Sequence, residues 1–135
     1  MTSPSLPRVF AEAVGLRVTL PGLLWTLPLD RVLQLVTPQS PARAATDRSA
    51  LETIEKATDA LTRGFRPTRT ACMSRALMRY VLLRRHGFAA RFSIGVRPGG
   101  RDGFEAHAWV TLDDLPIMER EPVNCRPTFV WPRGS

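Results

Sequence analysis

At 135 residues with 44% hydrophobic side chains, the chain can bury one real core and is too short for two ordinary domains. Its formal charge of +7 and pI near 11.1 would suit a polyanion, but the arginines are spread from Arg8 to Arg133, Lys56 is the sole lysine and no aromatic-interleaved basic tract is present, so nucleic acid ranks well below a peptide as partner. Two cysteines, Cys72 and Cys125, are too few for a disulfide framework and match no zinc-site spacing; they read as separate free thiols in a reducing compartment, with no metal implied.

Residues 1–45 carry six of the 12 prolines, alternating with apolar clusters such as Val9-Phe10 and Leu23-Leu24-Trp25, and predict one or two short helices linked by turns. The first ten residues have no basic segment followed by an apolar one, which argues against a secretory signal and for the cytoplasm. Residues 16–36 are rich in leucine, yet Pro21, Pro28, Asp30 and Arg31 interrupt them before they could span a bilayer, so a docking surface around Leu23, Leu24 and Trp25 is the better reading, beside simple packing on the core. Residues 47–65 give a cleaner helix: Ser49 and Glu52 form a capping box, Leu51, Ile54, Ala57 or Thr58 and Leu61 recur at helical spacing, and Gly64 ends it. After a short loop containing Pro67, residues 72–86 form the next helix, with Ala76, Leu77, Tyr80, Val81 and Leu83 or Arg84 at helical spacing, arginines mostly on the other side, and Gly87 as a left-handed cap.

Beyond Gly87 the period changes to that of strands: residues 90–96, a turn through Pro98-Gly99-Gly100, then residues 104–112. Asp113-Asp114 makes a second turn, and residues 115–120 return as a third strand whose Pro116 confines its start to an edge. Residues 122–135, with three prolines and Trp131, read as an extended tail packing by its aromatic groups. Helices followed by an antiparallel meander make an α+β layout. It is expected as one domain over 1–135: an N-terminal segment at 1–45, a catalytic core at 46–121 and the tail.

Cys72 lies where the proline-containing loop gives way to a helix. The positive end of the helix dipole and its free N–H groups favour a thiolate, the form that attacks carbonyl carbon. A lone cysteine is ordinarily a small buried hydrophobe, and Cys125, in a proline-flanked tail with no helix to activate it, reads that way. His107 lies in the strand Phe104-Glu-Ala-His-Ala-Trp-Val-Thr-Leu112, where alternation places Glu105, His107, Trp109 and Thr111 on one side. A histidine there is commonly a satisfied polar residue, but beside an activated thiol it can take the thiol proton and return one to a leaving amine. His86, some 14 residues or roughly 21 Å along the helix from Cys72, is too far to serve as that base and reads as a partner of the helix C-terminus.

A third group should accept the other imidazole N–H. Asp113 and Asp114 are about 20 Å along the strand and belong to the turn. Glu119 falls opposite His107 if the hairpin is centred on Asp113 with an odd-length loop, whereas a two-residue loop at Asp113-Asp114 pairs His107 with Arg120 and turns Glu119 away. Glu105 is the alternative, and a solvated edge charge is the plain reading of Glu119. The Cys72 N–H is the expected oxyanion donor. Arg75 and Trp109 are expected near substrate or oxyanion. Arg75 and Arg79, at i+3 and i+7 from Cys72, could bind substrate carboxylates or form surface salt bridges.

The blocks Cys72-Met-Ser-Arg-Ala-Leu77, Leu83-Arg-Arg-His-Gly87, Ala90-Arg-Phe-Ser-Ile-Gly-Val96 and Ala106-His-Ala-Trp-Val110 resemble, in order and spacing, the transglutaminase-like leader peptidases of lasso-peptide biosynthesis. The resemblance covers residues 67–119. It implies a papain/transglutaminase-like fold and a Cys-His-Asp triad that cleaves the leader from a precursor peptide without a cofactor, Cys72 and His107 being two of its members. Glu119 stands where the acidic member is usually aspartate. It further implies the split form of the enzyme, with a separate leader-recognition protein and a downstream ATP-dependent cyclase. An acyltransferase or transglutaminase with the same triad, and a non-catalytic peptide-binding scaffold, are the competing readings.

Overall fold

The computed structural model describes residues 4–37, 46–62, 69–99, 103–119 and 123–132. Helices α1 (Leu6–Thr26), α2 (Leu29–Val36), α3 (Arg48–Thr62) and α4 (Arg69–Arg85) precede strands β1 (Arg91–Pro98), β2 (Phe104–Leu112), β3 (Leu115–Ile117) and β4 (Arg126–Trp131). The strands form one antiparallel sheet in the order β3-β2-β1-β4. The architecture is therefore α+β, helices first. The loop at Pro67 and the expected roles of Gly64, Gly100 and Arg120 fall outside the described residues.

The N-terminal segment departs from the short helices expected of it, because α1 is a 21-residue helix that runs through Pro21. An interior proline removes a ladder hydrogen bond and costs about 3 kcal/mol. Burial offsets that cost: Val9, Ala13, Leu16 and Leu20 make an inner stripe, on a helix that packs on α3 and α4. Leu6, Phe10, Val14, Val18 and Trp25 are exposed apolar residues of the same helix. With leucines, valines and aromatics both inside and outside, the helical period is invisible in the sequence. No helix among the described residues is long and apolar enough to cross a membrane.

Helix α3 starts where the sequence suggests but is capped differently. The Asp47 carboxylate accepts the Ala50 N–H at 3.3 Å, so Asp47 is the N-cap and Ser49 already lies inside the helix. The Ser49–Glu52 box does not form, since its cap position lies two residues too far along. At the other end of the helical region, Gly87 (φ 91°) closes α4 in a Schellman motif: the Phe88 N–H donates to Leu83 O at 2.9 Å and the Gly87 N–H to Arg84 O at 3.1 Å.

Helix α4 is the element the others pack on. Every residue from Ala76 to Leu83 is buried, Arg79 included, against α1, α3 and the β2 face of the sheet. The expected segregation of arginines to a solvent side fails at Arg79, which is only 7% exposed. In the sheet, β1 and β2 pair from Arg91↔Thr111 to Pro98↔Phe104, presenting Phe92, Ala108, Val110 and Leu112 to the core. The C-terminal segment is more than an extended tail. Its residues 126–131 pair with β1 as the edge strand β4, and a register shift between Ile94 and Gly95 accommodates Pro127.

One hydroxyl ties three elements together. Thr37, just past α2, donates to Leu33 O at 2.5 Å and accepts from the Tyr80 hydroxyl at 2.6 Å and the Trp131 indole N–H at 3.3 Å. One donor and two acceptor sites are all a threonine hydroxyl has, so it is saturated. Burial pushes the Tyr80 pKa above its ordinary value, against the Thr37 hydrogen bond and Arg84, which keeps the phenol protonated as the donor. Thr37→Val strands two polar groups and is expected to cost about 1–3 kcal/mol in urea unfolding, whereas Thr37→Ser should cost less. Equal midpoints for Val and Ser variants would contradict the knot.

Candidate active site

Cys72, Arg75, Arg79, His107, Trp109 and Glu119 line one small pocket together with Ala76, Ala108 and Val110. Four of these residues come from β2 and four from α4, so the packing of that helix on that strand assembles the pocket. Its lining includes β2 residues of both faces, because β3 ends at Ile117, opposite Val110, and leaves the β2 edge beyond it without a β3 partner. Side chains from either side of the sheet therefore meet around that edge.

Cys72 is a half-buried free thiol. Helix α4 begins at Arg69, one turn earlier than expected, making Cys72 its fourth residue rather than its first. The thiol stays within the first turn, where the helix dipole acts. The fourth N–H of a helix, however, is the first to join its own hydrogen-bond ladder. The free amide donors nearest the thiol therefore belong to the first turn of α4.

His107 and Glu119 are joined by a hydrogen bond of 3.2 Å from Nε2 to Oε1, the two side chains being 30% and 20% exposed. A carboxylate only accepts, so Nε2 carries the proton and Nδ1 is left as the ring's lone pair. This bond forms despite the register. The β2–β3 loop is the two-residue one, Asp113 and Asp114 both having positive φ (51° and 63°), and Val110↔Ile117, Thr111↔Pro116 and Leu112↔Leu115 are opposed. Continued regularly, that ladder would turn Glu119 away from His107. It does not continue: β3 stops at Ile117, and Met118 takes a left-handed φ of 60°, which breaks the alternation and swings Glu119 back.

The alternative, Glu105, is engaged elsewhere. It opposes Arg97 in the β1–β2 ladder, and its Oε2 accepts from Arg97 Nε and Nη2, both at 2.8 Å. His86 is likewise committed, its Nε2 lying 2.8 Å from Glu12 Oε1 on α1, with Arg85 Nε at 3.0 Å from the other carboxylate oxygen. Arg75 reaches the pocket and makes no ion pair among the described residues. Arg79, expected to bind substrate carboxylates or form a surface salt bridge, is instead a buried clamp: Nη2 donates to Asp59 Oδ1 at 2.7 Å, Nη1 to Met118 O at 2.8 Å and Nε to Thr58 Oγ1 at 3.4 Å. Burial pushes the Cys125 thiol above its ordinary pKa, Arg97 opposing and the Glu105 and Glu119 carboxylates reinforcing the rise. Among the described residues no three His, Cys, Asp or Glu side chains converge to hold a metal ion.

Trp109, two residues along the same face of β2, stacks with the His107 ring at 6.0 Å between centroids and 14° between planes. Its indole lies across Gly95, the residue opposite His107 in β1. A Cβ at Gly95 would meet Arg126 O at 2.5 Å and Trp109 Cη2 at 2.7 Å, so only glycine permits the ring and β4 to approach together.

In sum the pocket brings a thiol, an imidazole with one nitrogen free, and a carboxylate into one recess, the set required for proton transfer between sulfur and a leaving group. A family model described as the Transglutaminase-like superfamily matches residues 14–128. No curated protein and no solved structure matches the chain.

The close approach at Gly95 gives a test of this geometry. Gly95→Ala must displace either the Trp109 ring or the backbone of β4, and is expected to lower stability by about 1–3 kcal/mol in denaturant unfolding. A variant as stable as the parent would show that the indole does not lie over Gly95.

Proposed function

Because the chain belongs to the transglutaminase-like superfamily, a grouping of cysteine proteases and transglutaminases, we propose that it is a cysteine endopeptidase that removes the leader from a ribosomally made lasso-peptide precursor. Cys72 is the nucleophile, His107 the base and Glu119 the group that orients the imidazole. The observation that carries the reading is the convergence of these three side chains on one pocket, with the His107–Glu119 hydrogen bond leaving Nδ1 for the thiol. The resemblance of four sequence blocks to lasso leader peptidases suggests the substrate class. In this reading the protein acts in the cytoplasm, a separate leader-binding protein presents the precursor, and an ATP-dependent cyclase consumes the freed core. The whole of residues 1–135 serves as one catalytic domain.

The chemistry follows from the roles. His107 Nδ1 takes the Cys72 proton as sulfur attacks the scissile carbonyl carbon, giving a tetrahedral oxyanion held by amide donors of the α4 first turn. Collapse breaks the C–N bond, and the imidazolium returns its proton to the departing amine. The core peptide leaves with a new N-terminus while the leader stays as a thioester on Cys72. Water, deprotonated by His107, attacks the thioester carbonyl, and the thiolate leaves and is reprotonated. Glu119 keeps its charge throughout, stabilising the imidazolium and holding the ring in the tautomer with Nδ1 free. Arg75 and Trp109 are the pocket residues nearest the path of the chain being cut.

The transferase reading differs only in the second half, where an amine replaces water. Intact-mass analysis of a precursor peptide encoded beside this chain, incubated with the protein with and without the leader-binding partner and with a primary amine present, separates the two. Hydrolysis adds one water across one bond; transfer adds the amine. Cys72→Ala is expected to abolish product, His107→Ala to lower the rate by about 10²-fold or more, and Cys125→Ser to leave it unchanged. A folded protein and active partner that leave the peptide whole, or a Cys72→Ala variant that cuts equally well, would return the protein to the scaffold reading.

A further inference from the structure

We infer that Arg79 is a positioning residue for the site, acting on His107 through Met118 and Glu119; the inference rests on the proposed triad and extends it to a buried charge. The regular β2–β3 ladder would carry Glu119 to the wrong side of the strand, so the His107–Glu119 contact depends on the left-handed turn at Met118. Methionine has no intrinsic preference for positive φ, and a non-glycine residue in that region persists only where surrounding contacts hold it. The Met118 side chain packs against the core, and the hydrogen bond on its carbonyl comes from Arg79. Its Nη1 donates to the Met118 carbonyl at 2.8 Å, and its other nitrogens are fixed from behind by Asp59 Oδ1 at 2.7 Å and Thr58 Oγ1 at 3.4 Å.

The guanidinium suits this work for three reasons. It is planar and rigid, so gripping Asp59 and Thr58 of α3 aims the remaining N–H at one point in space. It is 7% exposed on an α4 residue that is buried on its flanks, so it cannot swing away. Its charge is neutralised by Asp59, whose own carboxylate is half-exposed, and does not reach Glu119 as a competing ion pair. Arg79 thus joins α3 and α4 to the one residue whose backbone decides where Glu119 points. It lines the pocket without being offered to substrate.

A double-mutant cycle tests this with probes that require no peptide substrate. The rate of Cys72 alkylation by iodoacetamide at fixed pH, read by mass spectrometry, reports thiol activation, and the ¹⁵N and ¹H signals of the His107 ring report the hydrogen bond to Glu119. Lysine keeps the charge at position 79 but cannot hold Asp59 and the Met118 carbonyl in one fork. Arg79→Lys and Glu119→Gln are each expected to slow alkylation by about tenfold, and the double variant to be no slower than Glu119→Gln alone. Arg79→Lys should also shift the His107 ring signals toward those of Glu119→Gln. Asp59→Asn, which keeps a side-chain oxygen for the Arg79 N–H to bond, should move both readouts the same way by less. Losses that multiply in the double variant, or His107 signals unmoved by Arg79→Lys and Asp59→Asn, would overturn the inference while leaving the triad intact. A His107→Ala variant alkylated as fast as the parent would instead overturn the triad itself, and this inference with it.

Discussion

Between Ala76 and Leu83, helix α4 meets solvent on no side. It is enclosed by α1 and α3 on one flank and by β2 on the other, and close-packed surroundings of that kind admit little rotation or sliding. Because Cys72, Arg75 and Arg79 ride on the same helix, seating it on β2 places all three relative to His107 and Trp109 at once. The rest of the molecule can be understood as serving that placement. The inner stripe of α1 covers the helix from behind, the Schellman closure at Gly87 turns the chain directly into β1, and the Thr37 hydroxyl links α2 and β4 to Tyr80 at the middle of α4.

The carboxylate comes to the site by a less direct route than the thiol or the imidazole. Cys72 and His107 sit on regular elements, whose geometry follows from hydrogen bonds and packing alone. Glu119 sits just past a three-residue strand, where neither a ladder nor a helix governs the backbone. A buried charge on α4 supplies the missing constraint. Burying a guanidinium is costly unless it is paired and hydrogen-bonded, and here Asp59, Thr58 and the Met118 carbonyl give each of its three nitrogens a partner. Such an arrangement adds little net stability but selects one local conformation, because any other leaves a buried cation with an empty donor.

How much of this can be read from the chain differs element by element, for physical reasons. The β1–β2 hairpin is legible because alternation and its glycines act locally, and Gly87 because few other residues fit a left-handed cap. α1 is hidden by apolar side chains on its solvent side and by Pro21, whose local penalty is overridden by tertiary burial. β4 is hidden by prolines that forbid a central strand but are tolerated at a bulged edge. The cysteine and histidine stand out by chemistry, since few residue types can do their work. For Glu119, the loop is the two-residue one that by simple alternation would exclude it. The contact arises instead from a left-handed methionine, which no propensity announces, held by an arginine twenty or so residues from its acidic partner in sequence and thirty-nine from the carbonyl it grips.

The Glu119 carboxylate bears on two groups at once, the His107 ring and the Cys125 thiol. Glu119 accepts the His107 N–H and so fixes which ring nitrogen carries the proton. The same carboxylate, together with Glu105, disfavours a second negative charge at Cys125, where burial has already pushed the thiol upward. Arg97, the nearby cation opposing that rise, is drawn to Glu105 across the ladder. A thiol kept protonated is a poor nucleophile, so charge as well as place argues against Cys125 in that role. Any change that neutralises Glu119 should therefore act twice, loosening the His107 ring and relieving one of the charges that keeps Cys125 protonated.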